Sequence, residues 1–469
     1  MKKIVFVNPP PPKGENELWE SAGPKTPPLG LLNLAAITRE SGYETSILDA
    51  EALGLDVDTA VEKILNSSPN YVGITATTIF IKNAQKIAEK IKQKNKDIKI
   101  LIGGAHLTAL PEKTMENSSF DIGVIGEGEI TLIDLLSALD NNEELDEIRG
   151  LIFIKDNHII KTEPRPLIHD LDILPMPAWD LLPEIKKHYR AYAQSADKFP
   201  SFSVITSRGC IGQCIFCDRA IFGNQCRAHS AEYVFKMMQT LNENYGIKNI
   251  IFEDDLFTIF RERINKLSEL IKKNNLEISW SVCSRVDTVN PEILKEMKQA
   301  GCWQILYGIE SGSQRVLDFI KKKITLEQVT KAIKLTKEAG LHAKGFFILG
   351  HPTETKESIE QTLNFIKKSQ LDDFSVSFFT PFPGSEIYTA IHAYGEVDED
   401  WDKMNAFEPV FIPNGFTKKQ LYSYSKRAYR SFYFKPKVMF NYIKRLKNPK
   451  QALFLVKGGI GLLKYLVKR

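Results

Sequence analysis

Short apolar segments alternate with amphipathic segments along the first 140 residues of the chain. Apolar runs of four to six residues predict buried strands, and apolar positions spaced three or four apart predict helices between them. The predicted strands are Lys3–Asn8, Glu44–Leu48, Tyr71–Thr75, Lys99–Ile102 and Ile122–Ile125. The predicted helices are Leu29–Ser41, Thr59–Asn66, Lys82–Lys94 and one that runs from Glu129 through Leu139. This alternation favours an α/β fold with an open, doubly wound parallel sheet, whose ligand binds at the carboxyl ends of its strands.

A second series of alternating strands and helices begins near residue 199. Its predicted strands are Ser203–Thr206, Asn249–Glu253, Glu277–Val282, Gln304–Tyr307, His342–Ile348 and Asp373–Phe379. Its predicted helices are Ala231–Tyr245, Arg261–Asn274, Pro291–Ala300, Ser313–Phe319, Leu326–Ala339 and Lys356–Ser369. Six such units predict a partial (β/α)6 barrel, an open relative of the eight-unit barrel.

These patterns divide the 469-residue chain into four segments. Residues 1–140 form the first α/β domain, and residues 199–400 form the barrel. Between them, 141–198 is predicted to be a connector, with a short hairpin of Leu151–Ile154 and His158–Lys161 before a proline-rich stretch. Residues 401–469 are predicted to be helical, aromatic and basic.

The composition of the last segment suggests a partner for it. Residues 409–469 contain fifteen Lys or Arg and no Asp or Glu. Interleaved with these bases are the aromatic residues Tyr422, Tyr424, Tyr429, Phe432, Tyr433 and Phe434. The combination suits an interfacial membrane contact, and an equally open alternative is a set of helices with solvated lysines. RNA is a third candidate, but no RNA-binding β-barrel follows the α/β barrel, which argues against nucleic acid.

The amino terminus and the cysteines indicate the compartment. Residues 4–7 form an apolar run too short for a signal peptide, and no apolar run approaches the roughly 18 residues that a spanning helix needs. Three of the six cysteines fall within eight residues, which favours a metal site in a reducing compartment over disulfides. We expect a cytoplasmic protein, with the inner membrane surface as a peripheral location.

The clustered cysteines are Cys210, Cys214 and Cys217, directly after the first predicted barrel strand. Thiolates at this spacing can hold three irons of a 4Fe–4S cluster and leave the fourth iron open to a small molecule. The alternative is a structural zinc ion, for which Cys226 or His229 would supply a fourth ligand.

The motif C-x3-C-x-aromatic-C, with Phe216 as its aromatic residue, resembles that of the radical S-adenosylmethionine (SAM) superfamily. The resemblance implies that the reduced cluster cleaves SAM to a 5′-deoxyadenosyl radical, while the protein supplies orientation and excludes water. It also implies an electron donor such as flavodoxin or ferredoxin. Segments after later strands resemble this family too, and they imply SAM contacts at Phe216, Glu253, Asp254, Arg285, Glu310, Gly350 and Pro352. The alternative for the carboxylates is a helix cap or an ion pair with lysine.

The first domain resembles the cobalamin-binding domain of B12-dependent radical SAM proteins, with glycines that let backbone approach a large planar ligand or its nucleotide tail. The resemblance implies cobalamin contacts at Asn8, Pro9, Asp49, Thr75, Thr77, Gly103, Gly104, His106, Gly126 and Glu127. One position departs from the D-x-H-x-x-G signature: Glu51 stands where a cobalt-ligating histidine would be. The resemblance therefore implies cobalamin binding without a histidine ligand at this position, and a vestigial or purely structural domain is the alternative.

If both cofactors bind, the resemblance implies methylation of an unactivated carbon, and the tail suggests a hydrophobic or lipid-like substrate. A second reaction stays open, namely oxidative cyclisation or rearrangement of a tetrapyrrole or natural product. The alternative of another class is a non-catalytic carrier of an iron–sulfur cluster or a corrinoid. No catalytic residue on the substrate side is identified.

Overall fold

The computed structural model describes residues 1–12, 25–191, 196–445 and 449–467. Within these residues the chain forms two large sheets, one of seven strands and one of six, together with two pairs of short strands. Each large sheet is packed against helices that connect its strands.

The first sheet has the strand order β2-β1-β3-β4-β5-β6-β7. Its strands are β1 (Lys3–Asn8), β2 (Glu44–Asp49), β3 (Tyr71–Thr75), β4 (Lys99–Gly103), β5 (Ile122–Val124), β6 (Leu151–Lys155) and β7 (His158–Lys161). The helices in this region are α1 (Leu29–Glu40), α2 (Ala50–Leu53), α3 (Val57–Asn66), α4 (Ile81–Lys94), α5 (Ala105–Ala109), α6 (Pro111–Met115), α7 (Glu129–Asn141) and α8 (Ile185–His188). The first five strands are parallel, which confirms the doubly wound sheet.

The hairpin that we expected within a connector extends this sheet instead. Strand β6 pairs antiparallel with β5, and β7 pairs with β6 at the edge. Leu151 and Phe153 pack into the core on one face of the sheet, and Ile152 packs into the core on the other. Because β6 buries side chains on both faces of the sheet, residues 151–161 are part of the first sheet and not of a connector.

The second sheet has the strand order β15-β14-β13-β12-β11-β8, with every neighbouring pair parallel. Its strands are β8 (Ser201–Val204), β11 (Asn249–Phe252), β12 (Ser279–Ser284), β13 (Cys302–Glu310), β14 (His342–Leu349) and β15 (Asp373–Phe378). The pair β9 (Ser207–Arg208) and β10 (Arg227–Ala228) is separate from it. The connecting helices are α9 (Ala231–Tyr245), α10 (Arg261–Lys273), α11 (Pro291–Gln299), α12 (Gln314–Phe319), α13 (Leu326–Glu338) and α14 (Lys356–Lys368). This arrangement confirms the partial (β/α)6 barrel.

The carboxyl-terminal region is helical, as expected. After the antiparallel pair β16 (Gly395–Val397) and β17 (Phe411–Pro413) come α15 (Lys418–Tyr433), α16 (Pro436–Arg445) and α17 (Pro449–Val467). Among the residues that the structure describes, no helix combines the length and the apolar character needed to cross a bilayer.

The aromatic residues of α15 differ from our expectation that they face a membrane. Phe432 is fully buried, and Tyr422, Tyr424, Tyr429 and Tyr433 pack against the barrel core. Helical spacing places these rings over β15, where the Tyr433 hydroxyl donates to Asp373. Of the six aromatic residues, only Phe434 is largely exposed. The aromatic part of the pattern is therefore explained by packing within the fold.

Candidate functional site

The cysteine loop follows β9 and is shaped by two glycines. Gly209 has φ +86°, and a Cβ there would lie 2.2 Å from the carbonyl oxygen of Gln225, so only glycine fits. At Gly212 the backbone N–H donates to Cys210 Sγ at 3.3 Å. A Cβ on Gly212 would lie 3.2 Å from Cys210 Sγ and 3.9 Å from Cys214 Sγ. The two glycines thus let the backbone of the loop pass close to the thiol groups of Cys210 and Cys214.

The electrostatic surroundings favour a thiolate at Cys214, whereas burial raises the pKa of Cys210 and the hydrogen bond with Cys214 raises the pKa of Cys217. A hydrogen bond with Cys217 lowers the pKa of the Cys214 thiol against the opposing effect of burial, and the positive charges of Lys322 and Arg285 lower that pKa further. Thiolates, not thiols, are the ligands of iron. The three cysteines and their cationic neighbours therefore fit an iron–sulfur cluster.

The two candidate fourth ligands for zinc have other partners. Cys226 Sγ donates to the carbonyl oxygen of Gly209 at 3.2 Å, and His229 Nδ1 lies 3.1 Å from Asp172 Oδ1. Among the described side chains, no three or more His, Cys, Asp and Glu residues converge on a point that could hold one metal ion. The existing partners of Cys226 and His229 argue against either residue as the fourth ligand of a structural zinc ion.

Two of the predicted SAM residues lie beside the cysteine loop. The Arg285 guanidinium is held by Asp287 at 3.0 and 2.8 Å, and its Nη1 would lie 3.6 Å from a Cβ on Gly212. Glu310 accepts a hydrogen bond from Lys322 Nζ at 2.7 Å in a buried ion pair. Glu310 also has φ +68°, a left-handed conformation that is strained for a residue with a side chain. Strain of this kind concentrates at functional sites.

Lys322 was missed by the sequence analysis. It is the middle residue of a run of three lysines, which resembles a solvated surface. Its side chain is nonetheless buried, and the charge of Glu310 raises its pKa against the effect of burial. Only the fold could reveal this, because Glu310 and Lys322 are 12 residues apart and α12 lies between them.

The first two of the three carboxylates after β11 have different surroundings. Glu253 Oε1 accepts from Ser203 Oγ at 2.9 Å and stays accessible to solvent, although the surrounding protein raises its pKa. Asp254 is fully buried, and it accepts hydrogen bonds from the backbone N–H groups of Thr206 and Ser207. Glu253 thus fits the predicted role in SAM binding. The contacts of Asp254 do not, because its oxygens already hold the segment that leads into the cysteine loop.

The predicted contacts Gly350 and Pro352 lie in a turn that is closed from within. Glu354 Oε2 accepts hydrogen bonds from the backbone N–H groups of Gly350 at 2.5 Å and His351 at 3.0 Å. A Cβ on Gly350 would lie 3.5 Å from Leu421 of α15. Phe216, the aromatic residue of the motif, is partly buried against the barrel core. The Gly350 turn therefore also joins the barrel to the carboxyl-terminal helices.

The Glu354→Gln variant is expected to flatten the dependence of thermal stability on pH. Burial raises the pKa of Glu354 to about 8. The folded chain keeps this carboxyl protonated while the unfolded chain ionises it above about pH 4.5, so stability falls as pH rises from there through 8. Between pH 6 and 8 the loss is about 2–3 kcal/mol. Unfolding midpoints across this range measure it, with exposed Glu357→Gln as the control that keeps the wild-type slope. If stability depended on pH equally in all three proteins, Glu354 would not be the group that causes this dependence.

An open cavity lies at the carboxyl ends of the first sheet, and its lining borders about 920 Å³ of empty space, which includes open solvent at its mouth. Its walls are mainly apolar and include Phe6, Leu34, Ile74, Leu101, Val124 and Leu132. Five of the predicted cobalamin residues line it, namely Thr75, Gly103, Gly104, Gly126 and Glu127. Gly104 has φ +98°, and a Cβ there would lie 2.8 Å from Thr75 Oγ1. An apolar cavity rimmed by bare backbone fits a large flat ligand or its nucleotide tail.

The other five predicted residues, Asn8, Pro9, Asp49, Thr77 and His106, are not among the described residues that line this cavity. Asp49 caps α2 and accepts hydrogen bonds from Asn8 Nδ2 at 2.9 Å and the Tyr189 hydroxyl at 2.7 Å. His106 is fully buried against Trp401, with Nδ1 3.2 Å from Thr78 Oγ1. Glu51, at the position of the signature histidine, lies 3.4 Å from Asn8 Nδ2. Local capping and packing explain these side chains.

The cavity and the cysteine loop share a wall. Ile205 and Arg208 precede the cysteines, Ile221 and Phe222 follow them, and all four line the cavity. Arg208 also pairs with Glu127 and Glu129 of the first domain, a contact that sequence reasoning missed. The fold therefore places the two predicted cofactor sites side by side.

Comparisons with known proteins agree with this arrangement. Residues 204–366 match the radical SAM superfamily model, and residues 18–136 match the B12 binding domain model. An uncharacterized methyltransferase of Pyrococcus horikoshii is 39% identical, over 93% of this chain and 94% of its own length. The anaerobic magnesium-protoporphyrin IX monomethyl ester cyclase of Rubrivivax gelatinosus is 28% identical, over 92% of this chain and 77% of its own.

Among solved structures, the radical S-adenosylmethionine methyltransferase TsrM from Kitasatospora setae superposes with a TM-score of 0.71 at 17% identity. The match covers 93% of this chain and 90% of that one, and at this identity it shows a common fold. The 39% identical relative and the two domain matches show that the chain is an enzyme of the radical SAM superfamily with a B12-binding domain, whose cofactors are a 4Fe–4S cluster, SAM and cobalamin.

Proposed function

We propose that this enzyme methylates an unactivated carbon of a hydrophobic or lipid-like substrate. The observation that carries the proposal is the wall shared by the cobalamin-type cavity and the cysteine loop. When bound, the cluster and SAM supply a radical initiator, and cobalamin supplies a carrier for the methyl group. A 39% identical relative described as a methyltransferase supports the same reaction class.

In this proposal the chain's own residues hold SAM beside the cysteine loop. Lys322 and Arg285 offer positive charge to a carboxylate, and the Glu253 carboxylate can accept a hydrogen bond from an ammonium group. Glu310 pairs with Lys322 in a buried contact, which holds the Lys322 ammonium group in place. Asp254 fixes the backbone of Thr206 and Ser207, and so fixes the start of the loop.

The barrel wall next to this site supports an amphiphilic substrate. Phe346 and Ile348 of β14 pair in register with Ser375 and Ser377 of β15, and all four side chains are half-buried. Residues two apart on a strand share a face, so an apolar strip and a polar strip run side by side along the wall. Such a wall suits a molecule with both an apolar body and a polar group.

The exposed face of α17 supports a substrate at a membrane surface. Val456, Ile460, Leu463 and Val467 follow helical spacing and are 52%, 49%, 54% and 77% exposed. The opposite side is docked on α15, where the Tyr465 hydroxyl donates to Ser425 Oγ at 2.9 Å. Because residues 409–469 carry fifteen basic residues and no acidic ones, the occupant we propose is an anionic lipid surface.

The Ile460→Glu/Leu463→Glu double variant is expected to float with phosphatidylglycerol vesicles at least about tenfold less than the wild-type protein, since it removes two apolar anchors. The matched control is Ile173→Glu, a change of an isoleucine that is 61% exposed elsewhere on the surface. Phosphatidylcholine vesicles and high salt test the charge requirement. Equal flotation of all proteins, or a dimer that the double variant dissociates, would contradict the lipid assignment.

A second candidate reaction is oxidative cyclisation, favoured by the 28% identical cyclase. SAM carrying a deuterated methyl group separates the two reactions. With a lipid extract, the purified enzyme and a reductant, methyl transfer puts the label into an extractable product along with 5′-deoxyadenosine. Release of 5′-deoxyadenosine without label in any product would favour cyclisation. We propose flavodoxin or ferredoxin as the electron donor in either case.

A further inference from the structure

A buried network of charged residues joins the two parts of the site. Arg208 donates to Glu127 Oε1 at 2.8 Å and to Glu129 Oε1 at 2.5 Å. Arg227 donates to Glu127 Oε2 at 2.9 Å and to the carbonyl oxygen of Ile168 at 2.6 Å. All four charged residues are less than 9% exposed. The network balances two positive charges with two negative ones, across the boundary between the two sheets.

Each end of the network belongs to one cofactor site. Glu127 and Glu129 lie between the end of β5 and the first turn of α7, in the turn that borders the cavity. Arg208 is two residues before Cys210 and pairs in register with Arg227 in the short β9–β10 ladder. A shift of the turn would therefore be transmitted to the backbone that begins the cysteine loop.

The network contributes little to the stability of the fold, but it can fix the relative positions of the segments that it joins. Burying two ion pairs costs desolvation energy that their attraction only roughly offsets, so apolar side chains of similar size would hold the fold about as well. What the buried network does supply is one defined arrangement of its parts, set by the hydrogen bonds of Arg208 and of Arg227 Nη1, whereas Arg227 Nε and Nη2 have no partner among the described residues. Here the arrangement that it defines is the position of the cysteine loop relative to the cavity.

Arg208 also lines the cavity itself, together with Gly126, Glu127, Gly128 and Glu129. Its guanidinium lies 5.7 Å from the centre of the Phe222 ring, another part of the cavity wall. A ligand in the cavity would thus lie against the network along several residues. Filling the cavity would restrict the positions open to Arg208.

We propose that Arg208 is a positioning residue that couples cobalamin binding in the cavity to the order of the cysteine loop. The inference rests on the assignment of this cavity to cobalamin. Because coupling between two sites is reciprocal, a bound corrinoid makes the cluster harder to remove, and a bound cluster tightens corrinoid binding by the same factor. The expected factor in the wild-type protein is about tenfold.

Two titrations of the full chain measure the coupling. Hydroxocobalamin is titrated into protein with and without a reconstituted cluster, which gives one ratio of Kd values. The iron that the protein keeps at equilibrium with increasing chelator is measured with and without hydroxocobalamin, which gives a ratio of apparent iron affinities. Neither ratio depends on catalytic turnover, and a general loss of stability would change the individual values without moving both ratios to one.

Glu129→Gln is the decisive variant, because the amide keeps a hydrogen bond to Arg208 while one buried charge is removed. We expect both ratios to fall from about tenfold toward one in Glu129→Gln. Arg208→Met should behave in the same way if it folds, and a failure to fold leaves the decision to Glu129→Gln. Arg39→Met, which breaks an exposed ion pair with Asp180, should keep the wild-type ratios.

The possible failures are distinguishable. Wild-type ratios in Glu129→Gln would overturn the coupling role of Arg208, even with corrinoid bound normally. Ratios of one in the wild-type protein would overturn it as well. If hydroxocobalamin does not bind the wild-type protein in either state, the assignment of the cavity to cobalamin fails, and the coupling fails with it.

Discussion

Replacing Cys214 by alanine is expected to abolish formation of 5′-deoxyadenosine from SAM, to below about one-thousandth of the wild-type rate. The cluster that we assign to Cys210, Cys214 and Cys217 supplies the electron for this cleavage, and the loss of one thiolate would leave it with two of its three cysteine ligands. Cys226 donates to the carbonyl oxygen of Gly209, and Cys302 is buried in the barrel core. The iron content and the visible absorbance of the cluster should fall with the activity.

Cys226→Ala is the matched control for this prediction, since Cys226 is the free cysteine next after the motif in the chain. It should keep the iron content and form 5′-deoxyadenosine near the wild-type rate. Under the zinc alternative the same variant would lose bound metal. Retention of cleavage activity in Cys214→Ala would contradict the assignment of this cysteine as a ligand.

Replacing Gly103 by leucine is expected to weaken corrinoid binding at least about 100-fold while leaving the cluster in place. Gly103 lines the cavity, and its backbone has an ordinary conformation. A Cβ there would meet only the carbonyl oxygen of Val124, at 3.6 Å, so the new side chain can enter the cavity without moving the strand. The leucine side chain would then occupy part of the volume that the corrinoid needs. Equilibrium dialysis with hydroxocobalamin measures the effect.

Gly459→Leu is the control of equal size, because a Cβ at Gly459 has no neighbouring atom within 4 Å and lies far along the chain in α17. It should bind hydroxocobalamin like the wild-type protein. If Gly103→Leu also binds normally, corrinoid occupies a different part of the first domain.

The architecture could be predicted because short-range patterns of apolar and polar residues determine its strands and helices. Strand and helix periodicity placed β1 and β3 at their observed limits, Lys3–Asn8 and Tyr71–Thr75. The close spacing of three cysteines predicted that the loop after the first barrel strand binds a cluster, because cysteines of one short loop can reach the same cluster. The hairpin β6–β7 was recognised as a hairpin, but its pairing with β5 depends on contacts that sequence spacing does not encode.

The details of the site were less predictable, for a common physical reason. A carboxylate at the end of a strand can bind a ligand, cap a helix or anchor a loop, and the choice depends on neighbours far away in sequence. Asp49 and Asp254 have taken structural roles, while Glu253 stays accessible. Lys322 and Arg208 were missed because their partners lie in other elements.

The most direct test of the two-cofactor enzyme begins with protein purified without oxygen and reconstituted with iron, sulfide and hydroxocobalamin. After removal of unbound cofactors, the bound corrinoid is measured, and SAM and dithionite are then added. The account predicts both bound corrinoid and 5′-deoxyadenosine. A protein with an intact cluster that retains no corrinoid and forms no 5′-deoxyadenosine would contradict it.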